Sequence, residues 1–214
     1  MKIYHAIRVV SFPFRYGVVL GLTRVLTPTL FHTILHRLIY AEERPMVRYV
    51  KSLGETDLVG SEIGVFTGSH AVSILNALPI KTLYLVAPYL PYMERGELIN
   101  PVSAKKIAVH DLAPFKEKVV WVGASELPSN LDFIYVDGSH DYTAVKSDLE
   151  RYYGLVKEGG VFGGHDFVNW YPGVIQAVCE FAVANNLELF VEQPDWWLMK
   201  TRAREAKENY ILKG

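Results

Sequence analysis

The sequence predicts an α/β three-layer sandwich built on a mostly parallel, seven-stranded sheet whose terminal hairpin adds one antiparallel strand. Three observations carry that expectation. Short apolar runs alternate with helical patterns along most of the chain, as in a parallel sheet covered on both faces. The last two apolar runs, residues 187–192 and 196–200, are separated only by a turn at Pro194 and Asp195, so they must run antiparallel. The 214 residues, 50% of them hydrophobic, suit one domain with a sizeable core.

The elements follow in order. Residues 1–41 read as an N-terminal helical cap, a substrate lid or a dimer arm. The first forty carry Lys2, Arg8, Arg15, Arg24 and Arg37 with no acid, interleaved with Tyr4, Phe12, Phe14, Tyr16 and Phe31. That pattern also allows peripheral contact of residues 1–40 with an anionic membrane. The main domain is expected over 42–200, followed by a charged tail over 201–214. Pro45 opens a helix that carries Met46, Val50 and Leu53 at helical spacing and ends at Gly54. Residues 58–65 form a strand, and 71–78 a helix with Val72, Leu75 and Leu78 on one face. Residues 82–86, 119–122 and 132–136 are further strands. Residues 143–157 make a helix with Val145, Leu149, Tyr152 and Val156 on one side and Gly159 just past its end. A strand over 161–164 and a helix marked by Val174, Val178 and Phe181 lead to the hairpin.

Composition excludes several classes. The formal net charge is −1, which argues against a nucleic-acid surface. The one cysteine, Cys179, rules out an internal disulfide and a cysteine-based zinc site; it lies in an apolar helical pattern and reads as a buried structural thiol. No stretch is apolar and long enough to span a bilayer, and Arg8 and Pro13 interrupt any signal-peptide core. A cytoplasmic location is expected.

The strand at 58–65 runs into EIGVFTGS, residues 62–69. Ligands of open α/β sheets bind beyond the carboxyl ends of the strands. Gly64 and Gly68 let the backbone turn tightly, and the helix after Ser69 points its first N–H groups toward the crevice, which suits a carboxylate. Glu62 can accept a hydrogen bond from an ammonium group. The spacing Gly64-x-x-x-Gly68 is not G-x-G-x-x-G and argues against a dinucleotide.

Three further motifs accompany this loop: DGSHDY at 137–142, GG-x-x-GGHDF at 159–167 and the closing PDWWLMK. Together they resemble the class I S-adenosylmethionine-dependent methyltransferases, specifically methyltransferase family 24 and the metal-dependent O-methyltransferases, over residues 42–200. The resemblance implies a Rossmann-like fold. It also implies that Glu62, Gly64, Phe66, Thr67, Gly68 and Ser69 hold the amino-acid end of S-adenosylmethionine, with Ser125 near the adenine. By the same resemblance Asp137 and Asp166 lie at neighbouring strand ends that bind magnesium, and His140 acts as base. The chain departs from the pattern at Ala87, where the family places an acid for the ribose hydroxyls.

Methyl transfer from a sulfonium needs no protein nucleophile; the enzyme must align the acceptor and help remove its proton. Asp137 and Asp166 each follow a strongly apolar strand that fixes its position. A hard cation takes such oxygen ligands. An unperturbed imidazole titrates near neutrality, as a base requires, and His140 reads as that base or as a group that orders its loop. His165 reads as a third ligand, a supporting group or a core histidine. His70 adjoins the glycine loop and reads as a cofactor contact or an exposed first-turn residue. Tyr142 reads as covering the helix start, and Trp196 and Trp197 as hairpin packing. The expected function is a magnesium-dependent O-methyltransferase acting on a small hydroxylated acceptor such as a sugar or natural-product intermediate, in a chain that can form a homodimer. Two readings compete with it: a weak cofactor-binding module that kept the fold, motivated by Ala87, and a nicotinamide oxidoreductase, disfavoured by the glycine spacing.

Overall fold

A computed structural model describes residues 8–9, 43–94 and 96–200. The cap and lid expectation for residues 1–41 otherwise lies outside the described residues, as does the tail over 201–214.

The described elements are β1 (Arg8–Val9), α1 (Pro45–Ser52), β2 (Leu58–Ile63), α2 (Ser69–Ala77), β3 (Ile80–Val86), β4 (Tyr92–Glu94), β5 (Glu97–Ile99), α3 (Val102–Leu112), β6 (Val119–Trp121), β7 (Leu131–Val136), α4 (Tyr142–Tyr152), β8 (Val156–Gly164), α5 (Pro172–Ala184), β9 (Leu189–Glu192) and β10 (Asp195–Met199). The main sheet has the order β1-β9-β10-β8-β7-β2-β3-β6. It contains the seven expected strands, with the short β1 added in parallel beside β9. Only β10 is reversed, and it sits between β8 and β9 rather than at the sheet edge. The chain winds outward from β2 through β3 to β6, then returns to β7 on the other side of β2, which opens a crevice above the β2/β7 switch point.

Alternation along each strand separates two core layers. Phe133 and Tyr135 face α1, α2 and α3 together with Met46, Ile74 and Ala108. Ile134 and Val136 face α4 and α5 with Leu149 and Val178. Trp196 and Trp197 split between these layers and are almost fully buried, as hairpin packing demands. Burying a side chain of this size stabilises by roughly 1.5–3 kcal/mol, so both layers matter to the fold.

Several boundaries differ from expectation. Helix α4 stops at Tyr152, a 3₁₀ turn follows over Tyr153–Leu155, and Val156 already pairs with Leu131. Gly159 therefore lies within β8 at φ +78° instead of capping the helix; the sheet ladder wins over helical periodicity. The buried stripe of α2 is Ala71, Ile74 and Leu75, with Val72 at its margin. The terminal turn falls at Gln193 and Pro194, and Asp195 is a fully buried strand residue. Its carboxylate accepts the backbone N–H of Met46 at 3.0 Å, capping α1, whose own N-cap Arg44 makes no side-chain cap. Cys179 is half-buried against the α4/α5 layer, where burial raises its thiol pKa. The hairpin β4–β5 and helix α3 had no counterpart in the sequence reading. Helix α3 buries Ala104, Ala108 and Leu112 at four-residue spacing, a stripe of small residues that raises little hydrophobic signal.

Candidate active site

Strand register builds the site. Ile63 pairs with Val136, and Val136 with Gly164, so Gly64, Asp137 and His165 arrive at one level above the sheet. The ladder continues one residue further: Asp137 N–H donates to Ile63 O at 2.7 Å, and His165 N–H donates to Val136 O at 3.0 Å. Gly64 lies at φ +95°, and a Cβ there would come within 2.0 Å of the Asp137 carbonyl oxygen. Its freedom thus serves the close approach of two strand ends. Gly68, at φ +79°, lets α2 pack against Ala108 of α3.

Above these ends lies a cleft of about 680 Å³, inside the roughly 300–1,000 Å³ range of small-molecule sites. Glu62, Gly64, Phe66, Thr67, Ser69, Asp137, His140, His165 and Asp166 all line it. Gly68 is buried beneath the loop, its N–H closing a turn onto Val65 O at 2.8 Å. Ser125 is exposed beyond β6 and does not line the cleft. Ala87 faces the cleft at the end of β3. Phe66 and Tyr89 hold left-handed backbone conformations on its rim and are joined by the Tyr89 hydroxyl, which donates to Phe66 O at 2.8 Å.

The polar floor has two halves. In one, Glu62 is 1% exposed and its Oε1 lies 3.6 Å from His70 Nδ1. Burial holds the Glu62 carboxyl well above its ordinary pKa, reinforced by Asp137 and opposed by Arg44. His70 is buried rather than exposed, its ring tilted against that of Tyr135 with centroids 4.1 Å apart. Burial lowers its pKa, as do Arg44 and His165, so the imidazole is neutral. Glu62 Oε2 and both ring nitrogens of His70 find no hydrogen-bond partner among the described residues. Buried polar atoms without partners are costly, so this half is shaped for a ligand carrying both donors and acceptors.

In the other half, Asp166 sits at φ +61° between two imidazoles, 2.7 Å from His140 Nε2 and 3.0 Å from His165 Nδ1. Burial pushes its pKa up, but the two histidine bonds outweigh that and hold it well below the usual carboxylate range. His140 also packs at 4.2 Å from the Tyr171 ring. Asp137, His140 and Asp166 each offer a ligand atom within 4.8 Å of the others, the donor set of a metal site. His165 stands outside this trio, in contact with Asp166 and 3.9 Å from Asp137. The residues present therefore fit a divalent cation: two carboxylate oxygens, with the His140 and His165 imidazoles beside them.

Sequence reasoning missed Arg44. Its Nη1 donates to Asp137 Oδ2 at 2.8 Å and to the Tyr135 hydroxyl at 2.9 Å. Tyr135 in turn donates to Asp195 Oδ1 at 2.8 Å. Burial works against the Arg44 charge, but Tyr135, Asp137 and Asp195 outweigh it. The one available signal was Pro45, which marks Arg44 as the residue at the mouth of a helix. Tyr142 instead ties α4 to α5, donating to Glu180 at 2.6 Å. Trp170 is 69% exposed and does not line the cleft.

With this geometry in place, comparison with known proteins is informative. Residues 61–167 match the family described as methyltransferase domain, half of the chain. An uncharacterized protein of Acanthamoeba polyphaga mimivirus is 27% identical over 128 residues, 57% of this chain and 58% of that protein's length. Among solved structures, the O-methyltransferase NovP is 20% identical with a TM-score of 0.52, covering 73% of this chain and 76% of its own. The O-methyltransferase of Bacillus cereus, solved in complex with SAH, is 13% identical with a TM-score of 0.52, covering 83% and 94%. The structural likenesses establish the fold, and the family match spans both the glycine loop and the aspartate motifs. The chain belongs to the methyltransferase-domain family, and its Rossmann-like unit is an S-adenosylmethionine-dependent methyltransferase domain.

Proposed function

We propose that the protein transfers the methyl group of S-adenosylmethionine to an oxygen of a small hydroxylated acceptor, assisted by a divalent cation. The observation that carries this reading is the Asp137, His140 and Asp166 cluster beside the Glu62 loop in one cleft. Glu62 would take the cofactor's ammonium, whose positive charge offsets the burial that disfavours its carboxylate, and the first-turn N–H groups of α2, which have no side-chain cap, would face the cofactor's carboxylate. Asp137 and Asp166 would hold the cation, with magnesium favoured by their oxygen donors. When bound, the ion orients the acceptor hydroxyl and lowers its pKa.

The acceptor oxygen attacks the methyl carbon, the carbon–sulfur bond breaks, and the sulfonium becomes a neutral thioether. The hydroxyl proton passes to His140. Asp166 supports that step, since a carboxylate on one ring nitrogen orients the imidazole and makes the other nitrogen more basic. The Tyr171 ring limits rotation of the imidazole.

The test is transfer of labelled methyl to a panel of phenols, catechols and sugars, with and without a chelator. His140→Gln is expected to lower kcat by roughly 10²–10⁴-fold, the usual contribution of a general base. Chelation and Asp137→Asn are expected to abolish turnover. Activity indifferent to both would remove the metal from the mechanism.

A further inference from the structure

The metal reading leaves one feature unexplained: Asp137, a proposed ligand, already has a cation. Arg44 holds Oδ2 of that carboxylate at 2.8 Å, and both side chains are largely buried, 14% and 18% exposed. The guanidinium is no loose surface partner. Its Nη1 also donates to Tyr135, whose hydroxyl is anchored on the fully buried Asp195. Asp195 is fixed in turn by the Met46 N–H at the start of the same helix that carries Arg44. The loop of contacts returns to α1 and locks the guanidinium against Asp137. Among the described residues, Asp166 is engaged by two histidines and pairs with no Lys or Arg.

Of the formal charges on Asp137, Asp166 and Arg44, two negative and one positive, a single negative charge is left to face an ion. A divalent ion entering there is undercompensated and is repelled by a fixed unit charge one carboxylate away. Even at an effective dielectric constant of about 20, two unit charges about 4 Å apart interact by several times the thermal energy. The missing negative charge must come from the acceptor.

Resting on the metal reading above, we propose that Arg44 is a resident counter-cation that prevents the Asp137–Asp166 site from holding a divalent ion tightly by itself. Ion and oxygen-chelating acceptor therefore load together.

The experiment titrates the full chain with Mn2+ alone, reading free ion by electron paramagnetic resonance, with folding checked by circular dichroism. Wild-type protein is expected to bind weakly. Arg44→Met is expected to bind at least tenfold tighter, and Arg44→Lys, which keeps the charge, to stay near wild type. Tyr135→Phe, which cuts the anchor but keeps the ring, is expected to tighten binding severalfold, and it carries the test if Arg44→Met does not fold. Adding catechol is expected to tighten Mn2+ binding more in wild type than in the untethered variant. Equal Mn2+ affinity in wild type and the folded charge-removing or untethering variant would overturn the proposal, as would equal tightening by Arg44→Lys. If Asp137→Asn leaves Mn2+ binding untouched, the metal reading itself fails, and the two failures are thereby told apart.

Discussion

At the scale of single residues, the site is a contest between burial and pairing. Asp166 is stabilised as a carboxylate by His140 and His165, whereas Glu62 is buried without a full set of partners. Asp148, on α4, is a third case: burial pushes its pKa up to about 6, with Arg151 opposing. Its Oδ2 lies 3.3 Å from where a Cβ on Gly138 would be, directly under the Asp137–His140 loop. A raised carboxylate pKa means that the fold binds the proton better than the unfolded chain does. The associated stability is fully present below the ordinary carboxylate pKa and is lost as pH rises through about 6. Asp148→Asn is therefore expected to be about 2 kcal/mol more stable than wild type at pH 8, since each pKa unit is worth about 1.4 kcal/mol and partial exposure reduces the total. The advantage should vanish near pH 3.5 in urea melts; an advantage independent of pH would contradict this. Asp137, His140 and Asp166 were legible in sequence because each sits in a short motif right after an apolar strand. Arg44 and Tyr135 were not, because their partners lie 91 and 60 residues away and no local pattern encodes such a pairing.

At the scale of elements, the turns at strand ends do more than reverse the chain. Gly64 brings two loops into contact, so Gly64→Ala combines a left-handed backbone with a clash against the Asp137 carbonyl. Strain of about 1–3 kcal/mol and overpacking of similar size predict a loss of about 3–5 kcal/mol in thermal or urea unfolding. Gly54, also left-handed but with open space around it, should tolerate alanine far better. The end of β3 carries a second prediction. Ala87 faces the cleft where a carboxylate could accept the ribose hydroxyls. Ala87→Asp is expected to tighten binding of S-adenosylhomocysteine by about tenfold or more, because hydrogen bonds to a charged group are worth about 1.5–3 kcal/mol each. Unchanged or weaker binding would place the ribose elsewhere. Strands with strong apolar runs were readable in advance. The β4–β5 hairpin was not, since Tyr92, Met93 and Leu98 are large apolar residues left exposed, where burial gives no pattern to read.

At the scale of the whole molecule, the sheet order matters more than any one loop. Winding outward from β2 and back to β7 sets the Glu62–Ser69 loop beside the aspartate strands, and inserting β10 next to β8 delivers Asp195 beneath Arg44. The parallel order and the reversed hairpin were legible from alternation and turn length. The position of β10 inside the sheet was not, because strand order is set by tertiary packing. Leu149 lies in the α4/α5 layer and does not line the cleft. Leu149→Ala in the α4/α5 layer is expected to cost about 2–5 kcal/mol of stability while leaving cofactor affinity within twofold. The central claim is that the cleft beside Glu62 is the S-adenosylmethionine site. Calorimetric titration of the full chain and of Glu62→Gln with S-adenosylhomocysteine tests it most directly. Micromolar binding by the wild type, weakened at least tenfold in the variant, is the predicted result; no binding at millimolar ligand, or equal binding by the two proteins, would contradict it.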